Sequence, residues 1–181
     1  MMKKVLFGGA VLAAIAMIFA FSPSRTDAVE TVEETIKWYS WEEAIKMMES
    51  KPKKLFVDVY TDWCGWCKRM DATTFTDPEV IKYMNKNFYA VKFNAEQKED
   101  IQYKGYTLKY LAQGRRGVHE LAYSLLNGQL SYPNFVYLDE EQQVISRSPG
   151  YKTPDVLIQE LTFIGSDVFK EKTYDEYLKG D

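Results

Sequence analysis

Both cysteines of this 181-residue chain fall within one short string, Trp63-Cys64-Gly65-Trp66-Cys67-Lys68. An apolar run, Lys54-Leu55-Phe56-Val57-Asp58-Val59-Tyr60, precedes it, and the residues after it read as helix. Positions i and i+3 of a helix share a face, so the two sulfurs can bond without moving the backbone far. Cys64 would sit at the helix N-terminus, where free N–H groups and the macrodipole favour a thiolate. This is the arrangement that dithiol–disulfide exchange uses. A ring closed between residues three apart constrains the unfolded chain little, so redox chemistry explains the pair better than scaffolding does. The alternatives are two inert buried thiols or a zinc site, and two cysteines with the single histidine fall short of a closed tetrahedral set.

Exchange chemistry assigns further roles. Cys64 is the expected nucleophile, and Cys67, one turn into the helix and less exposed, the resolving thiol. Cys67 must lose a proton to act. Asp58 stands six residues before Cys64 in an otherwise apolar strand. Burial raises a carboxylate's pKa and suits it to take that proton, directly or through water. The other reading of Asp58 is a strand-end carboxylate facing solvent. Trp63 and Trp66 would give Cys64 an apolar rim for an extended partner, with core packing as the alternative for Trp63. Pro133 precedes an apolar strand, where a missing N–H is tolerated, and the aromatic Tyr132 before it suits a cis bond. His119, the only histidine, reads as a surface or capping residue of a helix over Val118–Leu126. The stretch Gly114-Arg115-Arg116-Gly117 reads as a loop, solvated or anion-binding.

The elements that must position these groups follow from pattern. A first strand spans Thr35 to Tyr39, and Ser40 to Glu43 forms a capping box for a helix ended by Ser50-Lys51-Pro52. The unbroken apolar run Lys54–Tyr60 predicts a central strand. The Cys64 helix runs to about Ala72, and Pro78 opens another. Phe88 to Phe93 is the next strand. Residues 95–130 read as an insertion holding a hairpin around Lys104-Gly105 and a helix stopped by Asn127-Gly128. A hairpin follows, Asn134–Leu138 and Gln143–Arg147, then a helix from Thr153-Pro154-Asp155 to about Ile164. The tail offers one short helix. Strands alternating with helices, then a hairpin and a closing helix, predict an α/β fold with a mixed sheet covered on both faces.

The chain opens Met1-Met2-Lys3-Lys4, followed by an apolar stretch from Val5 to Phe21. That layout is a secretory signal at residues 1–28, cut after Ala28, or an uncleaved membrane anchor. Cleavage lowers the basic count from 23 to 20 and the acidic count from 26 to 25. A mildly acidic protein has no general attraction for nucleic acid or anionic lipid. Residues 29–181 suffice for one domain with its own core, and an exported location permits disulfides.

The residues Phe56 to Lys68, Ala90-Val91-Lys92-Phe93-Asn94 and Tyr132 to Leu138 together resemble the thioredoxin superfamily. The stretch Thr74 to Val80 is similar to exported bacterial members, in particular the periplasmic thioredoxin-like domain of the transmembrane thiol:disulfide interchange reductase. The resemblance covers roughly residues 35–164. It implies a thioredoxin-like fold with an insertion before the cis-proline strand, catalytic Cys64 and Cys67, and Asp58 as proton acceptor with Lys92 beside it. For Lys92 a plain surface lysine is the alternative. Trp63, Gly65, Trp66, Tyr132 and Pro133 become the expected substrate contacts, with no cofactor or metal. The implied partners are exported protein thiols and disulfides, with a membrane thiol–disulfide reductase as electron donor. Two features depart from the pattern: Gly-Trp replaces the Gly-Pro of thioredoxin between the cysteines, and residues 95–130 exceed the minimal fold. A dithiol oxidase, or a non-redox chaperone or binding module, are the rival functions.

Overall fold

Strand β2 (Lys54–Tyr60) is buried along both faces, with Leu55, Val57 and Val59 on one side and Phe56 and Asp58 on the other. Such a strand must be central. In the computed structural model, which describes residues 35–114 and 116–180, it is the middle of a five-stranded sheet ordered β1-β3-β2-β8-β9. The outer members are β1 (Trp38–Tyr39), β3 (Phe88–Asn94), β8 (Asn134–Leu138) and β9 (Val144–Pro149). β3 runs parallel to both β1 and β2, whereas β8 is antiparallel to β2 and β9 to β8. The mixed α/β sheet is thus the expected one. The signal or anchor expected at residues 1–28 lies outside the described residues. Among the described residues no helix is long and apolar enough to cross a membrane.

Helix α1 (Trp41–Ser50) starts at the expected capping box, Ser40 accepting from the Glu43 amide and Glu43 from the Ser40 amide. It packs Trp41, Ala44 and Met48 on the face of Val57 and Val59. Helices α2 (Gly65–Ala72) and α3 (Pro78–Asn87), with the long C-terminal helix (Pro154–Gly165), cover the opposite face around Phe56, Phe135 and Tyr137. Pro78 sits at the start of α3, where its missing N–H costs nothing, and Asp77 caps it. The tail forms the short helix Tyr174–Lys179, whose Tyr174 and Tyr177 rings pack at a tilt against Phe163.

The segment 95–130 carries two hairpins, β4 (Ile101–Tyr103) with β5 (Tyr106–Leu108) and β6 (Tyr110–Gln113) with β7 (Arg116–His119), before α4 (Glu120–Leu125). It is not mere decoration: Ile101, Val118, Leu121 and Ala122 join α1 in the core beside Val57. The first hairpin is where Lys104-Gly105 places it. The second differs from the sequence reading, which took Gly114–Gly117 for a loop and Val118 and His119 for helix. Gly117 makes the pairing feasible, since a Cβ there would lie 2.2 Å from the Leu111 carbonyl oxygen. His119 ends the strand and caps the helix with its own side chain, so the helix starts at Glu120, two residues after Val118.

Candidate active site

Register places the chemistry. β2 and β3 run parallel, so their C-terminal ends share one edge, and Asp58 is the direct partner of Lys92. β8 runs the other way, and its first residue, Asn134, pairs with Val59. The start of β8, the end of β2 and the start of residues 95–130 therefore meet. Tyr132–Pro133 enters that edge through a cis peptide bond, and the chain leaves β2 through Thr61-Asp62-Trp63 into the cysteines.

Cys64 and Cys67 are disulfide-bonded, with Cα atoms 5.3 Å apart. Cys64 is the N-cap of α2: its Sγ accepts from the Cys67 amide at 3.1 Å. A thiolate at Cys64 would meet the same amide and the positive end of the helix dipole. The two sulfurs differ less in access than expected, Cys64 being 4% and Cys67 3% exposed in the oxidised pair. The exposed surface belongs instead to their neighbours, Trp63 at 49% and Trp66 at 61%. Trp63 is therefore a rim residue and not a core one. Gly65 and Trp66 line an open cleft with Arg69 and Tyr151.

Asp58 is 1% exposed, on the sheet face that α2 covers. Burial pushes its carboxyl up to about 6; the Lys92 ammonium pulls the other way and Asp71 adds to the rise. Lys92 Nζ stands 3.3 Å from Asp58 Oδ2 and also contacts the Asp71 carboxylate, so this lysine bridges strand and helix. It lies over the Trp38, Tyr60 and Phe75 rings as well. The second oxygen, Asp58 Oδ1, is buried with no hydrogen-bond partner among the described residues. A buried carboxylate oxygen left unpaired is costly to hold, and it is free to take a proton.

Four neighbours of the site escaped the sequence reading. Asp71 follows Cys67 by four residues, one helical turn, a spacing that could have flagged it. Arg69, Glu96 and Tyr151 had no local signal, whereas Arg116 was read within the Gly114–Gly117 loop, solvated or anion-binding, with nothing to join it to Trp63. Glu96 accepts from the Trp63 indole N–H at 3.1 Å, the Arg116 guanidinium lies 4.2 Å from the Trp63 ring centre, and Tyr132 meets the same ring edge-on. His119 is fully buried, its ring edge-on to Phe93. Its Nδ1 accepts from the Leu121 amide, which leaves Nε2–H to donate to the Glu99 carbonyl, so the neutral ring is satisfied at both nitrogens.

Known proteins give the same picture. A 36-residue stretch is 44% identical to the thiol:disulfide interchange protein DsbD of Escherichia coli, covering 20% of this chain and 6% of that one. The solved structure of a DsbH oxidoreductase superposes with a TM-score of 0.52 at 15% identity, over 78% of this chain and 92% of that one. A candidate disulphide-isomerase from Bacteroides thetaiotaomicron gives a TM-score of 0.50 at 26% identity, over 73% and 93%. The chain spans under a tenth of the first curated relatives it matches, 9% and 8% of their lengths. A disulfide-bonded C-x-x-C at the strand–helix junction of a thioredoxin fold is the arrangement that thiol–disulfide exchange uses. The profile described as "Protein of unknown function, DUF255", the DsbH-type thioredoxin group, matches residues 28–151, and the chain belongs to that family.

Proposed function

We propose that this protein reduces or isomerises disulfide bonds in other exported proteins, with Cys64 and Cys67 as its redox couple. The observation that carries the reading is the Cys64 sulfur capping α2, with the buried Asp58 on the sheet face that this helix covers. The Cys64 thiolate attacks one sulfur of a client disulfide; a Cys64–client bond forms and the client's other sulfur leaves as a thiolate. Cys67 passes its proton to Asp58, directly or through one water, and attacks Cys64 Sγ. The client's second thiolate departs and the Cys64–Cys67 disulfide closes. Two electrons have moved to the client, and a dithiol of a membrane thiol–disulfide reductase restores them by the reverse exchange. Lys92 holds the Asp58 carboxylate while it cycles. Trp63, Gly65, Trp66, Tyr132 and Pro133 form the surface on which the client chain lies.

Export is supported by Lys3 and Lys4 ahead of the apolar stretch to Phe21, and by the local likeness to DsbD. The test is covalent trapping. Cys67→Ser leaves the first attack intact and removes resolution, so mixed disulfides through Cys64 should accumulate with exported proteins and vanish on adding dithiothreitol. Absence of such adducts would remove the two-thiol mechanism.

A further inference from the structure

The chain has five arginines, and outside residues 1–34 the described ones divide sharply in use. Arg147 is structural, its Nε donating to the Leu125 carbonyl. Arg116 and Arg69 are both exposed, one beside Trp63 before Cys64 and the other beside Gly65 and Trp66 between the cysteines. Arg116 comes from the 95–130 segment and stacks on Trp63, the residue before Cys64. Arg69 lines the cleft with Gly65, Trp66 and Tyr151, a space of about 490 Å³. The nearby carboxylates on the Trp63 side are already engaged, Glu96 with the Trp63 indole and Asp62 with the Asn94 amide. A guanidinium laid on an aromatic face keeps its rim of N–H donors in plane and free, pre-organised for a bidentate carboxylate.

We propose that Arg116 and Arg69 make this dithiol selective for client disulfides flanked by acidic residues. The inference rests on the oxidoreductase reading and adds the substrate class. The protein carries a net charge of −3, so an acidic client gains nothing from the molecule as a whole. Two cations beside the redox pair supply a local attraction at the one place where the client must dock. The Trp63 stack further ties this selectivity to residues 95–130, the part that exceeds the minimal fold.

The test is single-turnover oxidation of the pre-reduced full chain by three disulfide-bonded peptides, identical except for Glu, Gln or Lys beside the attacked cysteine. At low salt the Glu peptide should react about 10-fold faster than the Lys peptide, two exposed ion contacts acting together. High salt should compress that ratio to about 2-fold. The Arg69→Ala/Arg116→Ala double variant should bring the ratio to about one, and Arg116→Glu should invert it toward the Lys peptide. Because each readout is a ratio within one variant, a general loss of activity does not imitate it. Equal rates for the Glu and Lys peptides in the wild-type protein, or a ratio that persists in the double variant, would overturn the proposal. Failure of the wild-type protein to reduce any of the three peptides would instead overturn the oxidoreductase reading on which it stands.

Discussion

Two regions of the chain reach the same dithiol by different physics. Residues 54–93, which hold β2, α2 and β3, bring Asp58, Lys92 and the cysteines together inside the fold, where register fixes the pairing. Residues 95–130 bring the exposed Arg116 and the half-buried Glu96 to Trp63 from outside. In the buried region a charge is expensive, and Asp58 answers by holding its proton up to about 6. In the exposed region a charge costs little and is screened, so it can alter partner choice but not the chemistry itself. Asp58 in the first region and His119 in the second are both buried, and burial moves them in opposite directions. Burial raises the Asp58 carboxyl and lowers the His119 imidazole. The same desolvation favours the neutral form of an acid and of a base.

The largest effect that separates the regions belongs to Cys64→Ser. Insulin-type disulfide reduction should fall to near the uncatalysed level, because the remaining Cys67 lacks the helix-capping position that favours a thiolate. Residual turnover above that level would place the chemistry elsewhere.

Asp58→Asn comes next. The amide keeps the side-chain volume but cannot take the Cys67 proton, so resolution should slow by about 100-fold at neutral pH while the first attack stays near wild type. In the wild-type protein the resolving rate should drop as pH falls through about 6, when Asp58 protonates, and the variant should lack that step. Stopped-flow kinetics across this range separates the two stages. Stability runs in the reverse sense. The folded pKa of Asp58 is raised, so its favourable contribution is complete below 3.8 and is lost as pH rises through about 6. Asp58→Asn should therefore stabilise the protein at pH 7 by up to about 3 kcal/mol and leave stability near pH 4 almost unchanged. Urea melts at the two pH values measure this, and equal gains at both would mean that desolvation is not what raises the carboxyl.

The smallest effect lies in the other region. Burial lowers the folded pKa of His119 below 6.5, opposed by the Glu99 carbonyl and by the charges of Glu120, Asp100 and Glu42. Its contribution is present above 6.5 and is lost as pH falls, because only the unfolded chain takes up the proton readily. His119→Asn keeps a capping oxygen for the Leu121 amide but gives up the Glu99 contact, at a cost of about 1 kcal/mol at pH 7. The loss of stability between pH 7 and pH 5 should be shallower in this variant. An unchanged slope in thermal melts would move the acid sensitivity away from His119.

The contrast between the regions is also one of legibility. In residues 54–93 the apolar run, the cysteine spacing and Pro78 read directly as β2, α2 and α3, because each signal is local. Asp58 stood out for the same reason, as one carboxylate in a greasy strand. In residues 95–130 the β6–β7 pairing was missed, since it depends on Gly117 passing close to Leu111 and on a histidine that caps through its side chain. Asp71 was one helical turn from Cys67 and readable in principle. Glu96 and Tyr151 were not, being 32 and 87 residues from Cys64 and carrying no pattern of their own, and the loop reading of Arg116 held no hint of Trp63.

The sequence by itself determined the chemistry available here: two thiols at helix spacing, a carboxylate six residues upstream, a proline before an apolar strand, and aromatics beside the nucleophile. Periodicity and capping are short-range, so they also determined most element boundaries. Only the tertiary structure decided which groups meet. Parallel register set Lys92 against Asp58, antiparallel register brought Pro133 to the end of β2, and the second hairpin carried Arg116 onto Trp63. Those encounters are fixed by packing of the sheet and its two covering layers. No local propensity encodes a contact between residues 34 or 53 positions apart, as Asp58 is from Lys92 and Trp63 from Arg116.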